Sequence, residues 1–190
     1  MLVLASSSSR RQELLRNAGI AFTARSADVP EVLRPGEGPL GYAQRLARDK
    51  ARAVRLQFTQ TDLVLGADTI VVVDHHILEK PADAADAARM LRLLSGRTHL
   101  VTTGVCLIGE GFEDTRAETT EVTFDRLTEA EIAMYLAHGE PMDKAGAYAI
   151  QGIASRWISR LDGCYFNVVG LPVPLVYRML REHGVSEVSG

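Results

Sequence analysis

The stretch Leu63–Val73, which reads LVLGADTIVVV, is a nearly continuous apolar run. A run of this kind predicts a buried β-strand. Asp68 interrupts it, and burying a lone carboxylate costs free energy unless the group is paired, metal-bound or protonated. The position therefore favours a functional carboxylate, with a structural aspartate that accepts backbone N–H bonds as the alternative.

The N-terminal segment predicts an anion site. A short apolar strand over residues 2–5 precedes a serine loop, and a helix follows from about Arg10 to Ala18, with Ser9 as its N-cap. Free backbone N–H groups at such a helix start bind anions. Arg10 and Arg11 lie in the first turn, which disfavours positive charge unless an anion docks there. The alternative is a surface helix with solvated arginines.

Lysine is scarce in this chain. Among 21 basic residues only Lys50, Lys80 and Lys144 are lysines. Lysine and arginine are not interchangeable at tight sites, so these positions are candidates for compact positive charges. Lys50 lies on the apolar side of an amphipathic helix predicted over residues 40–58, where it either snorkels to solvent or meets an anionic partner.

Composition narrows the class of protein. The 190 residues, 46% hydrophobic and 24% charged, suit one domain over residues 1–190, or two small lobes around one core. No apolar stretch is long enough to span a membrane, and residues 1–5 are too short for a signal peptide. The net charge of −3 argues against broad nucleic-acid binding. Cys106 and Cys164 form no metal or disulfide pattern, which favours a cytoplasmic protein.

The remaining patterns predict an α/β fold. Strands and hairpins alternate with capped helices, for example after Asp83 and at the capping box Thr128-x-x-Glu131. The segment Asp143–Gly152 has no clean period and predicts a closely packed binding loop.

The unusual residues suggest one chemistry. Basic groups together with carboxylates indicate a polyphosphate held with a divalent cation, Mg²⁺ or Mn²⁺. The sequence contains no Walker A motif, no G-x-G-x-x-G after a strand and no G-x-S-x-G elbow, so the corresponding nucleotide-binding and esterase classes lack support.

A series of motifs in a fixed order resembles the Maf family of nucleoside triphosphate pyrophosphatases, and within it the dTTP/UTP pyrophosphatase branch. The resemblance covers about residues 2–180. The motifs are LASSSSRR at 4–11, ARDKA at 47–51, GADT at 66–69, EKP at 79–81, LSG at 94–96, GEP at 139–141, DKAGAYAIQG at 143–152 and VGLP at 169–172.

The resemblance implies a mixed, elongated sheet with flanking helices and a central cleft, similar to inosine triphosphate pyrophosphatases. It also implies cleavage between the α- and β-phosphates, a divalent cation and a possible homodimer, with no nucleic-acid or membrane partner. Whether Asp68 is a general base or only a metal ligand is open, because both roles need an ionised carboxylate.

Residue roles follow position by position from the resemblance. The catalytic residues are Asp68, Lys50 and Lys80, and the metal ligands are Glu31 and Asp68. The substrate-binding residues are Ser7, Arg10, Arg11, Thr69 and Gln151, of which Arg10, Thr69 and Gln151 are linked to base preference. The chain departs from the family pattern at Ser9, where proline is usual, and in the acidic loop Asp28–Glu31.

Two other functions compete with this one. The first is hydrolysis of 7-methyl-GTP or another purine triphosphate, which the segment Asp143–Gln151 disfavours. The second is a regulator of cell division that binds a partner and catalyses nothing.

Overall fold

The computed structural model describes residues 1–59 and 61–185, and the chain divides into two compact units. The first unit contains residues 1–69, 103–118 and the chain from Gly170 onward. The second contains residues 70–102 and 119–169. The single domain predicted over residues 1–190, with two lobes as its variant, stays a prediction.

The described residues form a mixed sheet with flanking helices, which confirms the predicted α/β class. Its hydrogen-bonded order is β2-β1-β3-β5-β6-β7, with β4 paired to β3. The strand β1 is parallel to both β2 and β3, whereas the β3–β4 and β6–β7 pairs are antiparallel. The strands are β1 (Leu2–Ala5), β2 (Thr23–Arg25), β3 (Leu63–Val73), β4 (His76–Leu78), β5 (Thr98–Gly109), β6 (Phe112–Phe124) and β7 (Ile158–Asp162).

The helices follow the predicted pattern with shifted ends. The predicted helix over residues 40–58 runs from Pro39 to Arg55, and the last helix begins at Val173. A short helix over Tyr165–Val169 was missed, because five residues give no readable period. The α-helices are α1 (Ser9–Asn17), α2 (Pro39–Arg55), α3 (Ala84–Leu94), α4 (Glu129–Ala137), α5 (Tyr165–Val169) and α6 (Val173–Glu182).

Two details of the prediction were wrong. The N-cap of α1 is Ser8, whose side chain accepts from the Arg11 backbone N–H, so the helix starts one residue before the predicted position. Helical spacing predicts Arg45 on the face of α2 opposite the apolar stripe, where it would meet solvent, and this is wrong. Arg45 is buried and donates to both carboxylate oxygens of Glu37, which lowers the pKa of Glu37 to about 2.

In the first unit, two glycines of the sheet allow α2 to pack directly against the strands. A Cβ added at Gly66 in β3 would lie 2.1 Å from the backbone oxygen of Ala47. A Cβ at Gly104 in β5 would lie 2.2 Å from the backbone oxygen of Ala43. No side chain fits at either position, so helix and sheet touch through their backbones. This approach brings Lys50 on α2 close to the strand that carries Asp68.

The second unit has its own apolar core. The inner face of α3 packs with residues of β3, β5 and β6 and with aromatic side chains of the later segments. The aromatic members are Phe124, Tyr135, Tyr148 and Trp157. Tyr148 follows the 3-10 turn Ala145–Ala147, so the middle of the predicted binding loop lies in this core, whereas its first residue, Asp143, is exposed.

Candidate active site

Lys50 and Asp68 form a buried ion pair in the first unit. Their exposed fractions are 9% and 7%, and Lys50 Nζ lies 2.5 Å from Asp68 Oδ1. The same ammonium lies 2.6 Å from Oε1 of Glu31, whose side chain is 44% exposed. Lys50 therefore meets anionic partners and does not snorkel. One lysine bridges two carboxylates, one buried and one open to solvent.

Two opposing effects act on the pKa of Asp68, and on balance the pKa is raised. Burial raises the pKa of this carboxyl group, while the charges of Lys50 and Arg11 act in the opposite direction. The ion pair and its hydrogen bond offset only part of the cost of burying the Asp68 carboxylate, since desolvation is the largest effect there. The arrangement concentrates two positive and two negative groups around the middle of a buried strand.

Arg11 is fixed by contacts with its own protein. Its Nε donates to the Gly170 carbonyl at 2.8 Å, its Nη2 donates to the Thr69 hydroxyl at 3.0 Å, and its Nη1 donates to Ser6 Oγ at 3.3 Å. Burial lowers the pKa of the guanidinium, and the Asp68 charge opposes that effect. Because a guanidinium carries five N–H donors, three such contacts leave donors for a phosphate.

The Thr69 hydroxyl is fully engaged. Besides Arg11, it lies 2.9 Å from the Thr103 hydroxyl and 3.2 Å from the Gly170 carbonyl. A hydroxyl has one donor and two acceptor sites, so these three neighbours occupy all of them. Thr69 thus binds Arg11 and the Gly170 carbonyl, and its hydroxyl has no free hydrogen-bonding site for a nucleotide base.

The residues predicted to bind an anion at the start of α1 differ in their exposure to solvent. Ser7 is exposed and Arg10 is half-buried. Ser6 was not predicted, yet its buried hydroxyl accepts from the Ser8 backbone N–H and from Arg11. Ser6 and Thr103 share one sequence signal, a polar residue next to or inside an apolar strand, but that signal is common.

Lys80 and Gln151 belong to the second unit. Lys80 follows β4 and is exposed. Gln151 is exposed and lies in a tight turn in which the Gly152 backbone N–H donates to the Ala149 carbonyl at 3.1 Å. The predicted site residues thus fall into two groups, one in each unit.

The donor set at Glu31 and Asp68 fits Mg²⁺ or Mn²⁺. Both carboxylates converge on Lys50, and hard divalent cations prefer oxygen ligands. Within residues 1–59 and 61–185, no group of three or more His, Cys, Asp or Glu side chains could hold a metal ion. Mg²⁺ is commonly bound by one or two carboxylates together with substrate phosphates, which matches a pair of ligands.

A buried lysine–aspartate pair beside a serine–arginine helix start, on a mixed α/β fold, defines a candidate site for a phosphorylated ligand. The family model described as Maf-like protein matches residues 1–183. The chain belongs to the Maf-like protein family.

Curated relatives are similar over nearly their full length. A protein of Koribacter versatilis (strain Ellin345), named dTTP/UTP pyrophosphatase, is 61% identical over 97% of this chain and 95% of its own. The protein of the same name from Geobacter sulfurreducens is 50% identical over 96% of each chain. That of Symbiobacterium thermophilum is 49% identical over 100% of this chain and 97% of its own.

One solved structure shows a weak likeness. It is a nucleoside-triphosphatase, dITP/XTP pyrophosphatase, of Mycobacterium abscessus, with a TM-score of 0.41 and 19% identity. The match covers 66% of this chain and 75% of that one.

Proposed function

We propose that this protein hydrolyses dTTP and UTP, and modified pyrimidine triphosphates, between the α- and β-phosphates. The products are a nucleoside monophosphate and pyrophosphate, and the role is the removal of unwanted nucleotides. The observation that carries the proposal is the buried Lys50–Asp68 pair with Glu31 beside it, in a chain whose relatives carry the name dTTP/UTP pyrophosphatase.

Glu31 and Asp68 would hold a divalent cation, which supplies charge neutralisation of the phosphates when bound. Asp68, when ionised, accepts a proton from the attacking water. Lys50 lies between both carboxylates, and its positive charge favours their ionised forms, so it supports either role of Asp68.

The remaining basic groups bind the triphosphate. Arg10 and Arg11 lie at a helix start with Ser7 just before it, where backbone N–H groups and the macrodipole favour anions. Lys80 supplies a further point charge. Gln151 presents one acceptor and two donors, and both kinds of group are needed at the acceptor–donor–acceptor edge of uracil or thymine.

The proposal includes the setting of the reaction. No helix among residues 1–59 and 61–185 is long and apolar enough to cross a membrane. We place the enzyme in the cytoplasm, where nucleoside triphosphates are found, and expect a homodimer and no nucleic-acid partner.

The test is pyrophosphate release from purified dTTP, UTP, CTP, ATP, GTP and 7-methyl-GTP, with and without Mg²⁺ or Mn²⁺. We expect cation-dependent cleavage of dTTP and UTP, with CTP and ATP cleaved at least about tenfold less efficiently, roughly 1.4 kcal/mol in the barrier. A preference for a purine triphosphate or for CTP would overturn the substrate assignment, and no release from any of them would overturn the activity.

A further inference from the structure

The carboxylate of Glu140 fixes both ends of the turn that carries Gln151, one end directly and the other through the Tyr135 hydroxyl. Glu140 Oε2 accepts from the Ile153 backbone N–H at 3.2 Å, which fixes the chain after the turn. Glu140 Oε1 accepts from the Tyr135 hydroxyl at 2.8 Å. That hydroxyl in turn accepts from the Ala149 backbone N–H at 3.3 Å, which fixes the chain before the turn.

The packing around the carboxylate is as close as the hydrogen bonding. A Cβ added at Gly152 would lie 2.1 Å from Glu140 Oε1, so glycine is needed for the carboxylate to lie against the turn. Tyr135 is fully buried, and its ring stands edge-on to Trp157 at 5.2 Å between centroids. The hydroxyl therefore reaches Glu140 from a rigid position in the core of the second unit.

Glu140 itself is fixed from its own side. Gly139, between α4 and Glu140, adopts a left-handed conformation with φ of 72°. Pro141, on the other side of Glu140, is buried. Lys144 Nζ donates to the Glu140 carbonyl at 2.7 Å. The backbone of Glu140 thus has little freedom, and its carboxylate has a defined place.

We propose that Glu140 and Tyr135 are positioning residues for base discrimination, acting through the turn Ala149–Ile153 on Gln151. This inference rests on the proposed function, because it needs Gln151 to meet the base. A glutamine amide can rotate to suit either uracil or cytosine, so discrimination needs neighbours that fix the amide, and a fixed backbone keeps the side chain in a constant position against those neighbours. Charge-assisted hydrogen bonds to a carboxylate are about twice as strong as neutral ones, which suits that task.

Three substitutions should converge on one result. Glu140→Gln weakens both hydrogen bonds, Tyr135→Phe removes the link to Ala149, and Gly152→Ala pushes the carboxylate away from the turn. For each, we expect the ratio of kcat/KM for UTP to that for CTP to fall about threefold to tenfold. The double variant of Glu140→Gln and Tyr135→Phe should fall no further than the more affected single variant, since both act through one linkage.

The matched control is Glu129→Gln, at an exposed glutamate of α4 that pairs with Arg92. It should leave the ratio unchanged. Amide hydrogen exchange at Ala149 and Ile153 is measured in parallel, and we expect faster exchange in Glu140→Gln than in wild type.

The outcomes separate the two proposals. Unchanged discrimination in folded Glu140→Gln and Tyr135→Phe, with wild type preferring UTP, would overturn the positioning role alone. Unchanged amide exchange would show that the carboxylate does not hold the turn, whatever the activity. No pyrophosphate release by wild type would overturn the proposed function, and the positioning role with it.

Discussion

The ammonium of Lys50 lies 2.5 Å from the carboxylate of Asp68, and both side chains are buried. The pair joins helix α2 to strand β3 at a place where the two backbones touch. It is stable only while both charges are present, because loss of either partner leaves the other buried and uncompensated.

The first prediction concerns this carboxylate. Asp68→Asn keeps the shape and removes the charge, so it removes a proton acceptor and a metal ligand together. We expect kcat for dTTP to fall at least about 10²-fold, the low end for a positioned acid–base group. Pyrophosphate release measures it, with exposed Asp162→Asn as control. Near-normal turnover in a folded Asp68→Asn protein would exclude the role.

The second prediction concerns the scarce lysines. Lys50 fits between two carboxylates at 2.5 and 2.6 Å, which leaves no space for a guanidinium. Lys50→Arg should lower kcat/KM about tenfold or more, as expected when a compact charge is exchanged at a tight site. Lys80→Arg should lower it too, because the proposed function has Lys80 meet a phosphate as a compact point charge. Arg52→Lys, at an exposed residue on the same helix as Lys50, should change little. Equal small effects at all three positions would mean that the scarcity of lysine carries no functional information.

A third prediction separates two roles for Thr69. Because its hydroxyl is occupied by Arg11, Thr103 and Gly170, it should act on the phosphates through Arg11 and not on the base. Thr69→Val should raise KM for dTTP, UTP and CTP by similar factors, about tenfold for a lost hydrogen bond to a charged group. Thr69→Ser retains the hydroxyl and should behave as wild type. A selective change in the UTP to CTP ratio in Thr69→Val would instead indicate contact with the base.

The fourth prediction concerns Gln151. If its amide meets the edge of uracil or thymine, Gln151→Ala should shrink the UTP preference over CTP, from at least about tenfold toward equality. The kcat/KM values for the two substrates measure it, and Gln57→Ala at another exposed glutamine is the control. Full discrimination without the amide would assign base choice to other residues.

A fifth prediction concerns stability and pH. Burial lowers the pKa of His99 to about 4, and its Nε2 lies 2.8 Å from the Tyr148 hydroxyl. The unfolded chain binds a proton at its usual pKa near 6.5, so protonation favours unfolding. The free energy of unfolding should therefore fall as pH drops from about 6.5 to about 4, by up to about 3 kcal/mol from this residue.

Urea denaturation at several pH values, compared with His99→Gln, isolates this contribution. Whatever the stability of the variant at neutral pH, its free energy of unfolding should depend less steeply on pH in this range than that of wild type. Parallel curves for the two proteins would show that His99 is not the titrating group.

Much of the fold could be predicted because its signals are local. The apolar run around Asp68 gave β3 its bounds, and the Thr128 capping box is present with both of its hydrogen bonds. The place of Lys50 on the apolar side of α2 could be predicted, whereas the choice between snorkelling and an anionic partner could not, because it depends on Glu31 and Asp68 from other parts of the chain. Local patterns of this kind need no knowledge of the partner element.

Contacts between distant residues could not be predicted in the same way. Nothing in the chain around Arg45 indicates that Glu37 folds back onto it, and Thr103 gives no sign that its hydroxyl meets Thr69. The one-residue error at the N-cap of α1 has a local cause, because four consecutive serines offer equivalent caps. The roles of the site residues stay predictions until the substitutions above are measured.

The backbone contact at Gly66 and Gly104 has a consequence for anyone who wishes to make this protein more heat-resistant. Exchange of glycine for alanine ordinarily stabilises a chain by reducing the freedom of its unfolded state. Substitution by alanine cannot stabilise the protein at either position, because the added Cβ would clash with the backbone of α2. The same substitution can stabilise it at Gly41 on that helix, where the nearest atom would lie 3.9 Å away and alanine is the better helix former by about 1 kcal/mol. Engineering for thermal tolerance should therefore begin on the outer side of that helix and leave its seat on the sheet untouched.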